Sequence, residues 1–168
     1  SSGVRVGSKI VSFYTGEVMP ETENFSREHV WPASRLTGGR DHNVVDDDIL
    51  MTRPASMTAN GDRSNYYYSA TGAAKTSDPG MYHESYRGDA ARIIFYTALL
   101  DTGVSFNDDP ETDSAQLTMG NLSEMLEWNY AYPVIYRETM RCDGAQFLQG
   151  NRNPFVDHPE YATAIWGN

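Results

Sequence analysis

The chain has a single cysteine, Cys142, in 168 residues, so no disulfide can form within it and a bridge-stapled scaffold is excluded. Cys142 itself reads as a small buried hydrophobe. Long apolar runs are missing too. None approaches the roughly 20 residues a membrane-spanning helix needs, so no membrane partner is expected. There are no internal repeats and no low-complexity tract, which leaves neither a solenoid nor a compositionally biased tail. Lysine is nearly absent: two of the 13 basic residues are Lys and 11 are Arg. With 23 acidic residues the net charge is −10, which argues against a protein whose whole surface adheres to nucleic acid. The cations that are present are guanidinium groups, whose two-pronged fork grips phosphate or carboxylate. Five of them, Arg27, Arg35, Arg40, Arg53 and Arg63, lie within residues 27–63.

A length of 168 residues suits one domain with a real core, residues 1–168. "KIVSFYTG" (9–16) is a short β-branched and aromatic run closed by Gly, which predicts a strand and a turn. "ILMT" (49–52) predicts a second strand, and Pro54 predicts the first turn of a helix, "PASMTANGDR". Residues 66–86 predict an irregular connection. Later segments predict helices: 88–103, apolar on nearly all sides; 121–130, with an Asn cap; and 133–150, opened by Pro133 and stopped by Gly150. "NRNPFVDHPEYA" follows as a proline-broken tail. Few early strands and many later helices make an α+β domain with a mainly helical second half.

"NFSREHVWP" (24–32) sets Arg27, Glu28 and His29 against an apolar wall. A neutral imidazole accepts a proton near physiological pH, and a carboxylate can hold a hard cation. Neighbouring side chains on a regular strand face opposite ways, so Glu28 and His29 share a site only where the strand ends or distorts, and Pro32 makes an early end plausible. Read alone, the stretch is more plainly a surface pair of Arg27 with Glu28 beside a half-buried His29. In "NGDRSN" (60–65), Asn60 and Arg63 share a helix face, with Ser56 one turn earlier. An amide oxygen is a legitimate Mg²⁺ or Ca²⁺ ligand; a polar helix end is the plainer reading. The run Asp46–Asp48 reads as a solvated loop or as a supporting contributor to a metal site. "DTG" (101–103) reads as capping at a helix end, and "RGD" (87–89) places Asp89 in a helix's first turn. His42, His83 and His158 show no ligand spacing.

Taken together, "REHVWP", "TGGR" and "PASMTANGDRSN", followed by "RGDAARIIFY", "MLEWNYAYP" and "QGNRNPFVDHPEY", resemble the endonuclease I family of largely secreted bacterial nucleases. The resemblance runs over about residues 10–161. It implies a ββα-metal (His-Me finger) core, with His29 as general base and Glu28 and Asn60 as metal ligands. It further implies Arg40 steadying the scissile phosphate, with Arg27, Arg63 and Asn65 in supporting substrate contacts. Where the family usually has "HNL", this chain has "ILMT", so a polar contact is lost there. Family members also carry a longer segment before "FYTG", which suggests N-terminal trimming.

The reading is a metal-dependent, non-specific endonuclease that uses Mg²⁺, or Mn²⁺ or Ca²⁺ in its place. It would act as a monomer on DNA and RNA and leave 5′-phosphates. A start at Ser-Ser-Gly rather than Met fits a secreted chain, extracellular or periplasmic, whose signal peptide has been removed. The rival readings are a non-catalytic Ca²⁺-stabilised module, built from Glu28, Asn60 and Asp46–Asp48, and an inactive nuclease-fold interaction protein. Net charge is reconciled with a polyanion by an Arg-lined cleft drawn from Arg27, Arg35, Arg40, Arg53 and Arg63, since screening confines exposed charges to about 8 Å.

Overall fold

The computed structural model describes residues 5–6, 9–20, 24–39, 44–68, 86–108 and 117–167. Arg40, and most of the irregular connection expected over residues 66–86, lie outside them. The chain opens with three short antiparallel strands, β1 (Arg5–Val6), β2 (Lys9–Val11) and β3 (Val18–Met19), in the order β1-β2-β3. A two-stranded antiparallel sheet follows, β4 (Phe25–His29) with β5 (Thr52–Ser56), and runs directly into helix α1 (Met57–Arg63).

The second strand therefore sits later than "ILMT" implies, and Pro54 lies within β5 rather than at a helix start. Proline is tolerated there because β4 is the strand's one sheet partner among the described residues, so the missing N–H costs little. Its carbonyl is used instead, accepting from Phe13 N at 2.8 Å. The helix begins after Ser56, whose Oγ accepts from Ala59 N at 3.2 Å and so acts as the N-cap.

The rest is mainly helical: α2 (Arg87–Leu100), α3 (Leu122–Ala131), α4 (Tyr136–Gln149), α5 (Pro154–Asp157) and α6 (Glu160–Trp166). Two brief parallel strands, β6 (Ser105–Phe106) and β7 (Thr118–Met119), interrupt it. Helix α4 starts three residues after Pro133 and ends, as expected, at Gly150 in the left-handed region (φ 87°). Asn121 occupies the N-cap position of α3 without a capping bond from its side chain. The proline-broken tail is two short helices rather than a loop. Helix α2 is buried from Gly88 to Thr97, as an all-round apolar pattern requires. Gly88 lets it lie against the segment after α3, because a Cβ there would collide with the Tyr132 carbonyl oxygen.

Two charged residues on α2, Asp89 and Arg92, enter this core as pairs. Asp89 accepts from Arg53 at 2.6 and 2.9 Å, and Arg92 donates to Glu138 at 2.5 and 2.8 Å. Buried charge demands such partners, since desolvation is otherwise uncompensated. A cluster of Tyr14, Tyr68, Tyr86 and Trp128 in mutual ring contact joins α2 and α3 to the region behind β4. The strand–strand–helix unit thus rests on a packed aromatic wall, and its other side is available to a site.

Candidate active site

Between β4, α1 and the turn that follows α1 lies a polar cleft of about 320 Å³. Arg27, Glu28, His29, Asn60, Arg63 and Asn65 all line it. Six of the seven residues singled out from sequence are thereby brought together; the seventh, Arg40, is outside the described residues. The strand does end where it must, because β4 stops at His29 and the alternation of faces stops with it.

Glu28 is buried, and its Oε1 accepts from Tyr14 Oη at 2.6 Å and from Arg63 Nη1 at 2.9 Å. Its Oε2 accepts no hydrogen bond from the described residues. Burial pushes the Glu28 carboxyl above its ordinary value, while Arg63 and Tyr14 pull the other way. Burial, and then the Glu28 charge, hold the Tyr14 phenol well above its ordinary value, so it serves as a fixed donor. Tyr14 Oη also lies 2.6 Å from Tyr68 Oη. Arg63 is the keystone. Besides Glu28 it bonds the carbonyls of His29 (3.1 Å) and Val30 (2.9 Å), and its guanidinium stacks over Tyr68. It ties the end of α1 to the end of β4.

Asn60 Nδ2 donates to Ser26 Oγ. With the NH₂ group so committed, the amide oxygen is the atom that can serve a cation. His29 Nε2 lies 3.0 Å from Asp46 Oδ1, an ion-pair approach rather than an aligned hydrogen bond. Asp46 belongs to a short 3₁₀ turn, Val44–Asp47, which Asp48 anchors. Asp48 accepts from Tyr96 Oη (2.6 Å), Asn151 Nδ2 (2.9 Å) and Leu50 N (2.8 Å).

The arginines divide. Arg27 is exposed on the cleft and Arg63 is buried beneath it. Arg35 is a clamp instead, donating to Asn65 O (3.1 Å) and Thr118 O (3.0 Å) over the Tyr67 ring. Arg53 leaves the cleft for Asp89. The expected arginine lining thus reduces, among the described residues, to Arg27 and Arg63. An arginine's sequence position does not say whether the protein's own carboxylates claim it first. Tyr14, Tyr68 and Asp46 also belong to this constellation, and of these only Asp46, in its acidic run, carries a signal in the sequence.

The endonuclease I family model matches residues 6–85 and 82–160 of this chain. The chain belongs to the endonuclease I family. Its curated relatives include the "Extracellular ribonuclease" of Bacillus amyloliquefaciens and that of Bacillus subtilis (strain 168). Each is 33% identical over 180 residues, an alignment covering 95% of this chain and 62% of the relative. The chain thus spans rather less than two thirds of the length of these endonuclease I relatives.

Proposed function

We propose that this protein is a secreted, metal-dependent, non-specific endonuclease, a single nuclease domain that hydrolyses phosphodiester bonds of DNA and RNA. The observation that carries this reading is the convergence of Glu28, Asn60 and His29 on one polar cleft. Extracellular ribonucleases among the relatives support RNA as a substrate and secretion as the destination. A monomer is the acting unit in this reading.

The donor set fits a hard divalent cation. Glu28 Oε2 and Asn60 Oδ1 are both oxygens, and two protein ligands with room for water suit Mg²⁺, or Mn²⁺ or Ca²⁺ in its place. Once held there, the cation would offset charge on the scissile phosphate. In this reading the strand–strand–helix unit is the ββα-metal core. Tyr14 and Arg63 hold Glu28 Oε1 so that Oε2 stays aimed at the cleft, and Ser26 does the same for Asn60.

His29 takes a proton from an attacking water, a step worth about 10²–10⁴ in rate. With Nε2 turned toward Asp46, Nδ1 is the nitrogen that receives it. Asp46 then stabilises the imidazolium that forms. Arg27, exposed at the rim, meets a substrate phosphate, with Asn65 beside it. Arg40 would steady the scissile group, as the family resemblance implies. Attack breaks the P–O3′ bond and leaves 5′-phosphate ends, and the departing 3′ oxygen takes a proton from water to become a hydroxyl.

Plasmid DNA and a single-stranded RNA, each incubated with wild type in Mg²⁺ and in chelator, test the reading. Cleavage of both should occur with the metal and vanish without it. His29→Ala should cut at least about 10²-fold more slowly while still binding nucleic acid. Chelator-resistant cleavage, or a His29→Ala protein within a few-fold of wild type, would refute it.

A further inference from the structure

A second cavity, of about 40 Å³, lies where β5, α2 and the first turns of α4 meet, with Val11, Phe13 and Pro54 as its apolar side. It shares no lining residue with the cleft. Arg53, Arg137, Arg141 and Asp89 stand in its wall, beside Tyr86 and the half-exposed Ile135. Three guanidinium groups against one carboxylate leave a formal charge of 3 − 1 = +2. The single carboxylate is already used, because Arg53 takes both oxygens of Asp89.

Arg141 has no comparable partner. Its Nη2 donates to the carbonyls of Ile49 (2.9 Å) and Thr52 (2.7 Å). Its Nε and Nη1 are buried, with no hydrogen-bond acceptor among the described residues. Burial, then the neighbouring charge of Arg53, pulls the Arg141 guanidinium down to about 9, against an attraction to Asp89. Arg137, in the first turn of α4, makes no hydrogen bond or ion pair with the described residues. Buried N–H donors of a charged group left without acceptors are costly, and they call for an anion or water. A water needs about 10–15 Å³, so this cavity takes only a few heavy atoms and excludes a nucleobase or sugar.

We propose that this cavity is an oxyanion site that binds one phosphate group through Arg141 and Arg137, with Arg53 and Asp89 as its fixed floor. The phosphate is either free inorganic phosphate or a backbone phosphate of bound nucleic acid. The proposal does not rest on the nuclease reading, because binding at this site needs neither the metal nor turnover.

The test is thermal unfolding of the metal-free protein in chelator, with inorganic phosphate against sodium chloride at equal ionic strength. The expected result is a phosphate-specific Tm rise of about 4–10 °C at roughly a hundredfold excess over Kd. Arg137→Gln and Arg141→Gln should each abolish it, and Arg27→Gln, in the cleft, should retain it. Should Arg141→Gln fail to fold, Arg137→Gln decides the question, since that side chain is only partly buried and ties down nothing described. A rise no greater than that in chloride, or one that survives Arg137→Gln, overturns the site and leaves water as the occupant. Binding of a short duplex by the His29→Ala protein separates the sources. A several-fold loss on adding Arg137→Gln assigns the site to backbone phosphate; unchanged affinity with a lost Tm response assigns it to free phosphate.

Discussion

Replacing Asp46 with Ala is the most exacting probe of the proposed chemistry, because Asp46 would touch only the base. Its Oδ1 lies 3.0 Å from His29 Nε2, and both side chains are largely buried. A hydrogen bond or close contact to a charged partner is worth about 1.5–3 kcal/mol net. The ground-state imidazole is neutral and the transition-state ring is cationic, so most of that value appears in the barrier rather than in binding. At about 1.4 kcal/mol per tenfold, the expected fall in kcat is about 10- to 150-fold, with KM near wild type. A kinetic cycle with His29→Ala decides whether the effect runs through His29. With the imidazole gone, Asp46→Ala should slow single-turnover cleavage by no more than about twofold. Equal losses in both backgrounds would mean that Asp46 acts on the metal or the substrate directly. A wild-type rate in Asp46→Ala would remove it from the mechanism.

Glu28→Gln and Asn60→Ala should each raise the Mg²⁺ concentration for half-maximal rate, on the order of 10-fold or more; titrations that superimpose on wild type would put the ion elsewhere. Glu138→Ala strands the buried Arg92 guanidinium. It should cost about 3–5 kcal/mol and lower Tm by roughly 6–20 °C, read by calorimetry, while the folded fraction stays active. Burial alone would raise the Asp89 carboxyl, but Arg53 more than offsets it and holds the group below its ordinary value. That stability is present above the unfolded value of about 3.9 and is lost as pH falls through the lower folded value. Urea unfolding of Asp89→Asn should show lower stability at neutral pH and a flatter loss below about pH 4 than wild type. Parallel curves would place the acid sensitivity in other carboxylates.

The cleft residues are legible through the family resemblance rather than through spacing: Glu28 and His29 are adjacent and Asn60 and Arg63 share one helix face, but read alone each pair is more plainly a surface pair or a polar helix end. Their meeting does not follow from spacing, since the pairing of His29 with Thr52 brings the two segments together. The second strand is misplaced by sequence reading for a local reason. Pro54 carries a helix-start signal, and a proline is acceptable in β5 because that strand lies at the edge of the described two-stranded sheet. The late helices follow from all-round apolarity in α2 and from Gly150. Asp46 cannot be singled out from Asp47 and Asp48, because the choice of which Asp faces His29 is made by Asp48, held by Tyr96 and Asn151 from distant parts of the chain. Which of the five arginines line the cleft is not legible: Arg53 is taken by a carboxylate on α2, 36 residues away.

Arg63 reaches across to the carbonyls of His29 and Val30, while those two residues begin the long connection to β5. The mouth of that connection is therefore stapled shut by a side chain from beyond its far end. A loop whose ends are clamped can lengthen cheaply, since doubling it costs only about 0.6 kcal/mol in closure entropy. One residue inserted within β4 itself would instead turn every side chain of the strand to the opposite face. A change of length in that connection thus leaves the pairing of β4 with β5 in register, whereas the five residues of β4 cannot change in number.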